Sequence, residues 1–149
     1  MARQSPPPGN RAKATQSQTV IVCDTNVLIF DALGGKPLSA AVLRALNRAT
    51  QAAEVACSDI SLWEMGQLIA NGRIRVKAEP REAIELMLSK RNVRILPIDA
   101  DIAVTAAGLL SGRTDLFDRI IAATALVHRA TLISADDRLH GIPGLKTIW

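Results

Sequence analysis

Apolar and polar positions along the chain form two kinds of segment. Short apolar runs rich in β-branched residues predict strands, of which the first is expected to be buried, and longer stretches with apolar residues three or four apart predict amphipathic helices. The predicted strands are residues 19–23, 55–60, 93–98, 131–135 and 146–149. The predicted helices are residues 38–53, 61–73, 80–92, 99–110 and 115–130. Strands that alternate with helices predict an α/β domain built around a mainly parallel sheet.

The first 18 residues differ from the rest in composition. They are rich in Pro, Ser, Gln and Ala and lack apolar periodicity, which predicts a disordered tail at 1–18 before a folded domain at 19–149. The tail holds Arg3, Arg11 and Lys13 and no acid, so it supplies three of the four net positive charges. Such a basic tail can contact nucleic acid. A flexible segment without a binding role, or a wrongly assigned start of translation, explains it more simply.

The remaining composition narrows the class of protein. The tail has no apolar signal-peptide segment, and no apolar run is long enough for a membrane helix, so no membrane contact is expected. Cys23 and Cys57 lie in apolar runs, which predicts buried thiols in a reducing cytoplasm, and no Cys/His spacing suggests zinc. With two Trp, two Phe and no Tyr, the chain has too few aromatic residues for a base-stacking platform of the kind that binds single strands.

Acidic residues follow the predicted strands or open the predicted helices. They are Asp24, Glu64, Asp115, Asp118, Asp136 and Asp137. Ligands of an open parallel sheet bind beyond the carboxyl ends of its strands, so most of these acids are expected at one edge. Several carboxylates in one place repel one another unless a cation lies among them. Oxygen ligands without Cys or His favour Mg²⁺ or Mn²⁺ over zinc.

Each acid also has a structural explanation when it is considered alone. Glu64 fits a capping box with Ser61, and Asp115 fits an N-cap. Asp118 fits a role beside the dipole of the helix that it opens. Asp136 and Asp137 fit an Asx turn. Asp24 is the hardest to explain in this way, because it ends an apolar run with no obvious need for a cap.

Four segments resemble the successive blocks of PIN-domain ribonucleases, in particular the VapC-like toxins of type II toxin–antitoxin pairs. They are "VCDTNVLI", "SLWEMGQLIANGRI", "DLFDRIIAATALVHRATLISADDRL" and "GLKTIW". They occur in the order of the family and together span about residues 20–149. The resemblance implies a three-layer α/β/α domain with a central, mainly parallel sheet. Leu116 departs from the family, in which many members have Pro, but this change removes a pre-set helix start and no ligand.

The resemblance implies an endoribonuclease that depends on Mg²⁺ or Mn²⁺ and holds one or two ions on an acidic quartet. By motif position, the quartet falls on Asp24, Glu64, Asp118 and Asp136. Asp137 leaves open which of two neighbouring acids faces the metal. In this chemistry, water activated by an ion attacks phosphorus in line while a metal stabilises the departing 3′-oxygen. Supporting roles would fall on Thr25, Asn26, Ser58, Ser61, Asp115 and Arg119.

Arg119 is the candidate phosphate contact, with a structural salt bridge as an equal alternative. The resemblance also implies an RNA substrate, a homodimer and a cognate antitoxin laid across the active-site face, often with an Arg offered to the acids. Apolar residues of the predicted helix 38–53 and of "NVLIFDAL" would supply contact surface, although most of them also fit the core.

Three alternatives stay open at this point. One is a nuclease of the same fold that serves RNA processing or quality control without a toxin role, and the sequence cannot separate it from a toxin. Another is a binding module without activity, which the presence of all four acids does not favour. The third is a receiver-like phosphoacceptor domain. That domain needs an acidic pair after the first strand, where this chain has Asp24 alone.

Overall fold

The computed structural model describes residues 19–109 and 115–149, and in these ranges it contains one sheet of five strands. The strands are β1 (Ile21–Cys23), β2 (Val55–Ser58), β3 (Arg94–Leu96), β4 (Thr131–Ile133) and β5 (Lys146–Ile148). They lie in the order β3-β2-β1-β4-β5, and every neighbouring pair is parallel. From β1 the chain adds β2 and β3 on one side, and it then crosses to the other side of β1 to add β4 and β5. The switch point of the sheet therefore lies between β1 and β4. An α/β sheet forms its ligand crevice at such a switch point, beyond the carboxyl ends of the strands.

All five predicted strands are present, with shorter bounds than the apolar runs suggested. The predicted tail at 1–18 lies outside the described residues. The helices of the described ranges are α1 (Thr25–Leu33), α2 (Ala40–Gln51), α3 (Ile60–Ala70), α4 (Pro80–Ser89), α5 (Ala100–Gly108), α6 (Leu116–Val127) and α7 (Asp137–His140). None of these helices is long and apolar enough to cross a membrane.

The local sequence explains where several helices begin. The Ser39 hydroxyl accepts a hydrogen bond from the Val42 amide at the start of α2, and Pro80 stands in the first turn of α4. Two helices, α1 and α7, were not predicted. Val27, Leu28 and Ile29 of α1 are all buried, so the helix has no narrow apolar stripe and gives little periodic signal.

The sheet separates two helical layers, which confirms the predicted three-layer arrangement. Side chains alternate along a strand, so Ile21 and Cys23 of β1 face the core that packs against α1, α2, α3 and α4. Val22 lies on the opposite face, in the core that packs against α6 and α7. Cys23 and Cys57 are buried free thiols, as predicted.

The apolar stripe of α2 belongs to the core and is not a surface for partners. Val42, Ala45, Leu46 and Ala49 are all buried against the sheet. The expectation that this stripe offers contact surface is therefore wrong for these residues. The large apolar side chains that stay exposed in this region are Leu33 at the end of α1 and Leu43 on α2.

An ion pair fastens the layer that contains α1. Arg91, in the turn after α4, donates hydrogen bonds of 2.9 and 2.7 Å to the two carboxylate oxygens of Asp31 on α1. Arg91 also donates to Asn47 of α2 at 2.6 Å. The Asp31 and Arg91 side chains are only 6% and 12% exposed. The pair thus links three helices on the face of the sheet that supports the crevice.

Candidate active site

A pocket opens at the carboxyl edge of the sheet, next to the switch point between β1 and β4. Its lining is made of Asp24, Asn26, Phe30, Lys36, Glu64, Asp115, Asp118, Ala135, Asp136 and Arg138. All four members of the predicted acidic quartet are in this lining, although they come from parts of the chain that are far apart in sequence. The structure therefore brings the quartet into one place.

Asp24 is positioned by strand register. Cys23 of β1 pairs with Ile133 of β4, so the residues that follow, Asp24 and Ser134, are neighbours just beyond the strand ends. The Ser134 hydroxyl donates a hydrogen bond of 2.7 Å to Asp24 Oδ2. Asp24 stands at the N-cap position of α1, but its side chain makes no capping hydrogen bond. Capping therefore does not account for this carboxylate.

Glu64 reaches the pocket from the second turn of α3. The capping box predicted for Ser61 and Glu64 is wrong, because α3 begins at Ile60 and Ser61 lies inside the helix. The buried Ser61 hydroxyl instead accepts a hydrogen bond of 2.9 Å from the Thr25 hydroxyl. Thr25 and Ser61 are absent from the pocket lining, so they hold α1 and α3 together beneath it. Ser58 is also buried, and its hydroxyl accepts from the Ile60 amide at 3.3 Å.

Asp115 and Asp118 enter the pocket from the start of α6. This helix runs back along the sheet before β4, which brings its N-terminus to the carboxyl edge. Asp115 accepts a hydrogen bond of 3.3 Å from the Phe117 amide, which confirms its predicted capping role. Asp118, in the first turn, also lines the pocket. A structural role and a place in the pocket are therefore compatible for Asp115.

Asp136 contributes the last carboxylate and is held by Arg138. Its Oδ1 accepts from the Arg138 amide at 3.0 Å, which is the predicted Asx-type turn and opens α7. The Arg138 guanidinium binds the same carboxylate, with Nη2 2.6 Å from Oδ2, and its Nη2 also lies 3.2 Å from Asp118 Oδ2. Asp137 is exposed and does not line the pocket. Asp136 is thus the acid of this pair that faces the pocket.

The acids disturb one another's protonation. Burial, together with the charges of Asp24 and Asp136, raises the pKa of Asp118 from 3.8 to about 7. Burial also raises the pKa of Asp24 and of Glu64, and neighbouring carboxylates add to both shifts. Asp136 is the exception, because its hydrogen bonds to Arg138 lower its pKa. The pocket therefore holds more negative charge than its surroundings stabilise.

Two cations that the motifs did not single out lie in the lining. Lys36 stands in the loop between α1 and α2, after Gly34 and Gly35, whose positive φ angles of 77° and 97° shape the turn. Its Nζ lies 5.2 Å from the centre of the Trp149 ring. Arg138, two residues after Asp136, is with Arg119 one of the two cations that lie near these acids in the sequence, whereas no sequence signal marked Lys36.

Arg119 has neither of the contacts considered for it. It is absent from the pocket lining, and among the described residues it forms no ion pair. Its Nε is buried without a hydrogen-bond partner in the same part of the chain. The predicted salt bridge is therefore wrong within these residues, and Lys36 is better placed than Arg119 to meet a phosphate in the pocket.

The donor set suits a hard divalent cation. Every ligating atom that the four acids offer is oxygen, which is the chemistry that Mg²⁺ and Mn²⁺ prefer. Across residues 19–109 and 115–149, no three acidic, imidazole or thiol side chains form a preassembled metal shell. The guanidinium of Arg138 instead bridges Asp118 and Asp136, which shows that this pocket accepts a positive charge.

Known proteins resemble the chain over almost all of the described residues. The PIN domain family matches residues 21–145. Ribonuclease VapC22 from Mycobacterium tuberculosis is 30% identical over 134 residues, which is 88% of this chain and 99% of that protein.

Solved structures show the same fold. A toxin–antitoxin complex from Klebsiella pneumoniae contains a chain that is 26% identical, with a TM-score of 0.58, and the match covers 87% of this chain and 96% of that one. VapBC2 from Rickettsia felis, bound to a DNA fragment from its promoter, gives a TM-score of 0.64 at 18% identity and covers 87% and 98% of the two chains.

Proposed function

This chain belongs to the PIN-domain family, and on that basis we propose that it is a metal-dependent endoribonuclease, the toxin of a toxin–antitoxin pair. The observation that supports this most strongly is the meeting of the quartet in one pocket at the switch point of the sheet. The name of Ribonuclease VapC22 supports RNA as the substrate. The Klebsiella pneumoniae toxin–antitoxin complex supports an antitoxin as the partner.

In phosphodiester hydrolysis, the four acids would bind the metal ion, and the hydroxyl groups around them would position those acids. Asp24, Glu64, Asp118 and Asp136 would hold Mg²⁺ or Mn²⁺, which when bound supplies an activated water and stabilises the departing 3′-oxygen. Ser134 fixes the orientation of Asp24 through its hydrogen bond of 2.7 Å. The Thr25–Ser61 hydrogen bond joins the start of α1, which directly follows Asp24, to α3, which carries Glu64, and so holds the two carboxylates near each other.

Positive and polar groups at the rim would receive the substrate. Lys36 lines the pocket and offers an ammonium group to a phosphate oxygen. Asn26 is exposed in the same lining, and its side-chain amide can donate to a second oxygen. Arg138 also lines the pocket, and its guanidinium would be a further cation for a phosphate if a metal ion took its place between Asp118 and Asp136. These residues replace Arg119 as the proposed phosphate contacts.

An apolar cleft next to the end of α1 suits the proposed antitoxin. Its lining includes Leu33, Val76, Leu86 and Met87. Lys and Arg side chains also line it, at Arg75, Lys77 and Lys90. An amphipathic antitoxin helix with apolar anchors and acidic flanks would complement this surface. We further propose that the toxin forms a homodimer in the cytoplasm, as expected from the family resemblance.

The sheet order bears on one of the alternative functions, the receiver-like signalling domain. A receiver-like signalling domain of the flavodoxin-like class has the strand order 2-1-3-4-5, whereas this sheet has the order β3-β2-β1-β4-β5. The sheet order and the family match therefore argue against that class. A PIN-fold nuclease for RNA processing or quality control has the same pocket and stays as the second candidate. A neighbouring antitoxin gene would separate the two roles.

The proposed chemistry is tested by removing one carboxylate from the pocket. Asp24→Asn keeps the shape of the side chain, and we expect cleavage of total RNA to fall by at least about 100-fold, because even outer-shell changes at metal sites cost 10–100-fold. Asp137→Asn is the matched control, since it removes a neighbouring acid outside the pocket and should retain activity. Circular dichroism would verify that both variants fold.

Metal removal provides the second arm of this test. EDTA should stop cleavage by the wild-type protein, and Mg²⁺ or Mn²⁺ should restore it. Sequencing of the RNA ends would identify the target. Full activity of Asp24→Asn, or cleavage that persists in EDTA, would contradict the proposed mechanism.

A further inference from the structure

Half of the aromatic side chains of the protein lie together beside the acidic pocket. The chain has two Trp and two Phe, and Trp63 on α3 contacts Phe117 on α6 with ring centres 5.1 Å apart and planes tilted by 31°. Trp63 nevertheless exposes 54% of its surface. A large ring that stays half exposed while it packs against a second ring offers a flat apolar face to a ligand.

The position of the pair connects it to the pocket. Trp63 directly precedes Glu64, and Phe117 directly precedes Asp118, so each ring is one residue away from an acid in the lining. Adjacent Cα atoms are about 3.8 Å apart, so the backbones of Trp63 and Phe117 adjoin the pocket, although neither ring is part of its lining. The contact between the rings crosses from α3 to α6, the two helices that also carry Glu64 and Asp118.

We propose that the Trp63–Phe117 pair is the stacking surface for one unpaired RNA base next to the phosphate that is cut. This inference rests on the proposed function, because it assumes that RNA enters the pocket. The flat, uncharged face of a base suits an aromatic ring, while the adjoining phosphate would lie at the acidic pocket, where the carboxylates would hold a metal ion. Four aromatic residues are too few for an extended platform, but one exposed ring is sufficient for one base.

The rigidity of the pair favours this occupant. Phe117 packs against Trp63, so the indole loses little conformational freedom when a base stacks on its exposed part. A stack next to the cut phosphate would also orient the strand in the pocket, since it fixes the nucleotide on one side. The pair therefore acts on substrate position and leaves the hydrolytic chemistry to the carboxylates.

The first experiment uses Trp63 itself as the probe. Trp149→Phe leaves Trp63 as the only tryptophan and keeps a ring beneath Lys36. Asp24→Asn in the same chain prevents cleavage. Addition of single-stranded 12-nucleotide oligoadenylate or oligouridylate in Mg²⁺ should quench the fluorescence of Trp63 in a saturable way. The quenching should be stronger with oligoadenylate, because purines present a larger stacking face.

The second experiment measures affinity by fluorescence anisotropy of the labelled RNA. Trp63→Leu keeps an apolar side chain but removes the ring, and we expect its affinity to fall by roughly 5- to 150-fold. Val104→Ala is the control, since Val104 is also an exposed apolar side chain but lies on α5 and lines neither the acidic pocket nor the apolar cleft. This control should bind RNA as the parent does.

The outcomes separate this inference from the proposed nuclease activity. Quenching and a selective loss in Trp63→Leu would support the stacking surface even if the wild-type protein cleaved no RNA, in which case the nuclease proposal alone would fail. Cleavage by the wild type with no quenching and unchanged affinity in Trp63→Leu would overturn the stacking surface alone. Conversion of a dimer to a monomer by Trp63→Leu, measured by sedimentation, would also overturn it, because the rings would then contact a second copy.

Discussion

Replacement of Asp118 by asparagine should stabilise the metal-free protein, although it removes a carboxylate that is proposed to hold the metal. The pKa of Asp118 is raised from 3.8 to about 7 by burial and by the charges of Asp24 and Asp136. An acid with a raised pKa in the folded state binds its proton more tightly there than in the unfolded chain. Its ionisation therefore lowers stability as the pH rises from about 4 to about 7, and above that the loss stays constant.

The size of the effect follows from the same pKa values. The difference between 3.8 and about 7 corresponds to about 4 kcal/mol, since each pKa unit is worth about 1.4 kcal/mol. The Asp118 side chain is 15% exposed, so solvent screens part of this energy, and asparagine also gives up the ion pair with the half-exposed Arg138. Such exposed pairs contribute at most about 1 kcal/mol. We therefore expect Asp118→Asn to raise the free energy of unfolding by about 2 kcal/mol at pH 7, or roughly 4–8 °C in Tm.

Urea unfolding followed by circular dichroism at pH 5, 6, 7 and 8 in EDTA would measure this difference. The gain should shrink toward pH 5, where Asp118 of the wild type is already protonated in the folded state. Asp31 and Asp136 do not affect this comparison, because both have a lowered pKa in the folded protein. Their ionisation therefore changes the stability only below pH 5, outside the measured range. Mg²⁺ should reduce the gap, since a bound cation stabilises the wild-type carboxylates.

Glu85→Gln is the control for this measurement. It also removes one negative charge, but Glu85 is exposed and, among the residues that the structure describes, forms an ion pair only with the exposed Arg81 at 3.0 Å, so we expect a change below about 0.5 kcal/mol. An Asp118→Asn protein that is less stable than the wild type at pH 7 in EDTA would refute the reasoning. A wild-type stability that rises between pH 5 and pH 7 would refute it as well.

Two further predictions concern the parts of the chain outside the pocket. Arg91→Met should lower the free energy of unfolding by about 3–5 kcal/mol in urea titrations, because it leaves the buried Asp31 carboxylate without its main partner; a loss below about 1 kcal/mol would contradict that role. Deletion of residues 1–18 should leave Tm nearly unchanged in calorimetry if the predicted tail makes no stabilising contacts, and a large decrease would show that it does.

Sequence patterns predicted the order of elements well where one face of an element is buried. The five strands and the amphipathic helices α2, α4 and α6 followed from apolar runs and spacing, and Pro80 and Asp115 marked helix starts. The patterns missed α1 because its burial is too broad to leave a stripe. They also suggested a capping box at Ser61 that the fold does not use, since Thr25 from another helix bonds to that hydroxyl. Local rules describe neighbours along the chain and have no information on such distant partners.

The residues of the candidate site also fall into two groups, those that the sequence identified and those that only the structure placed. The sequence by itself determined that carboxylates follow strands and open helices, and the motifs selected Asp24, Glu64, Asp118 and Asp136 among them. Only the tertiary structure decided that Asp136 and not Asp137 faces the pocket, and that Lys36 and Arg138 line it while Arg119 does not. Side-chain direction and the meeting of distant segments depend on strand register and helix packing. The sheet order β3-β2-β1-β4-β5 brings the ends of β1 and β4 together and thereby sets which charges share one small volume.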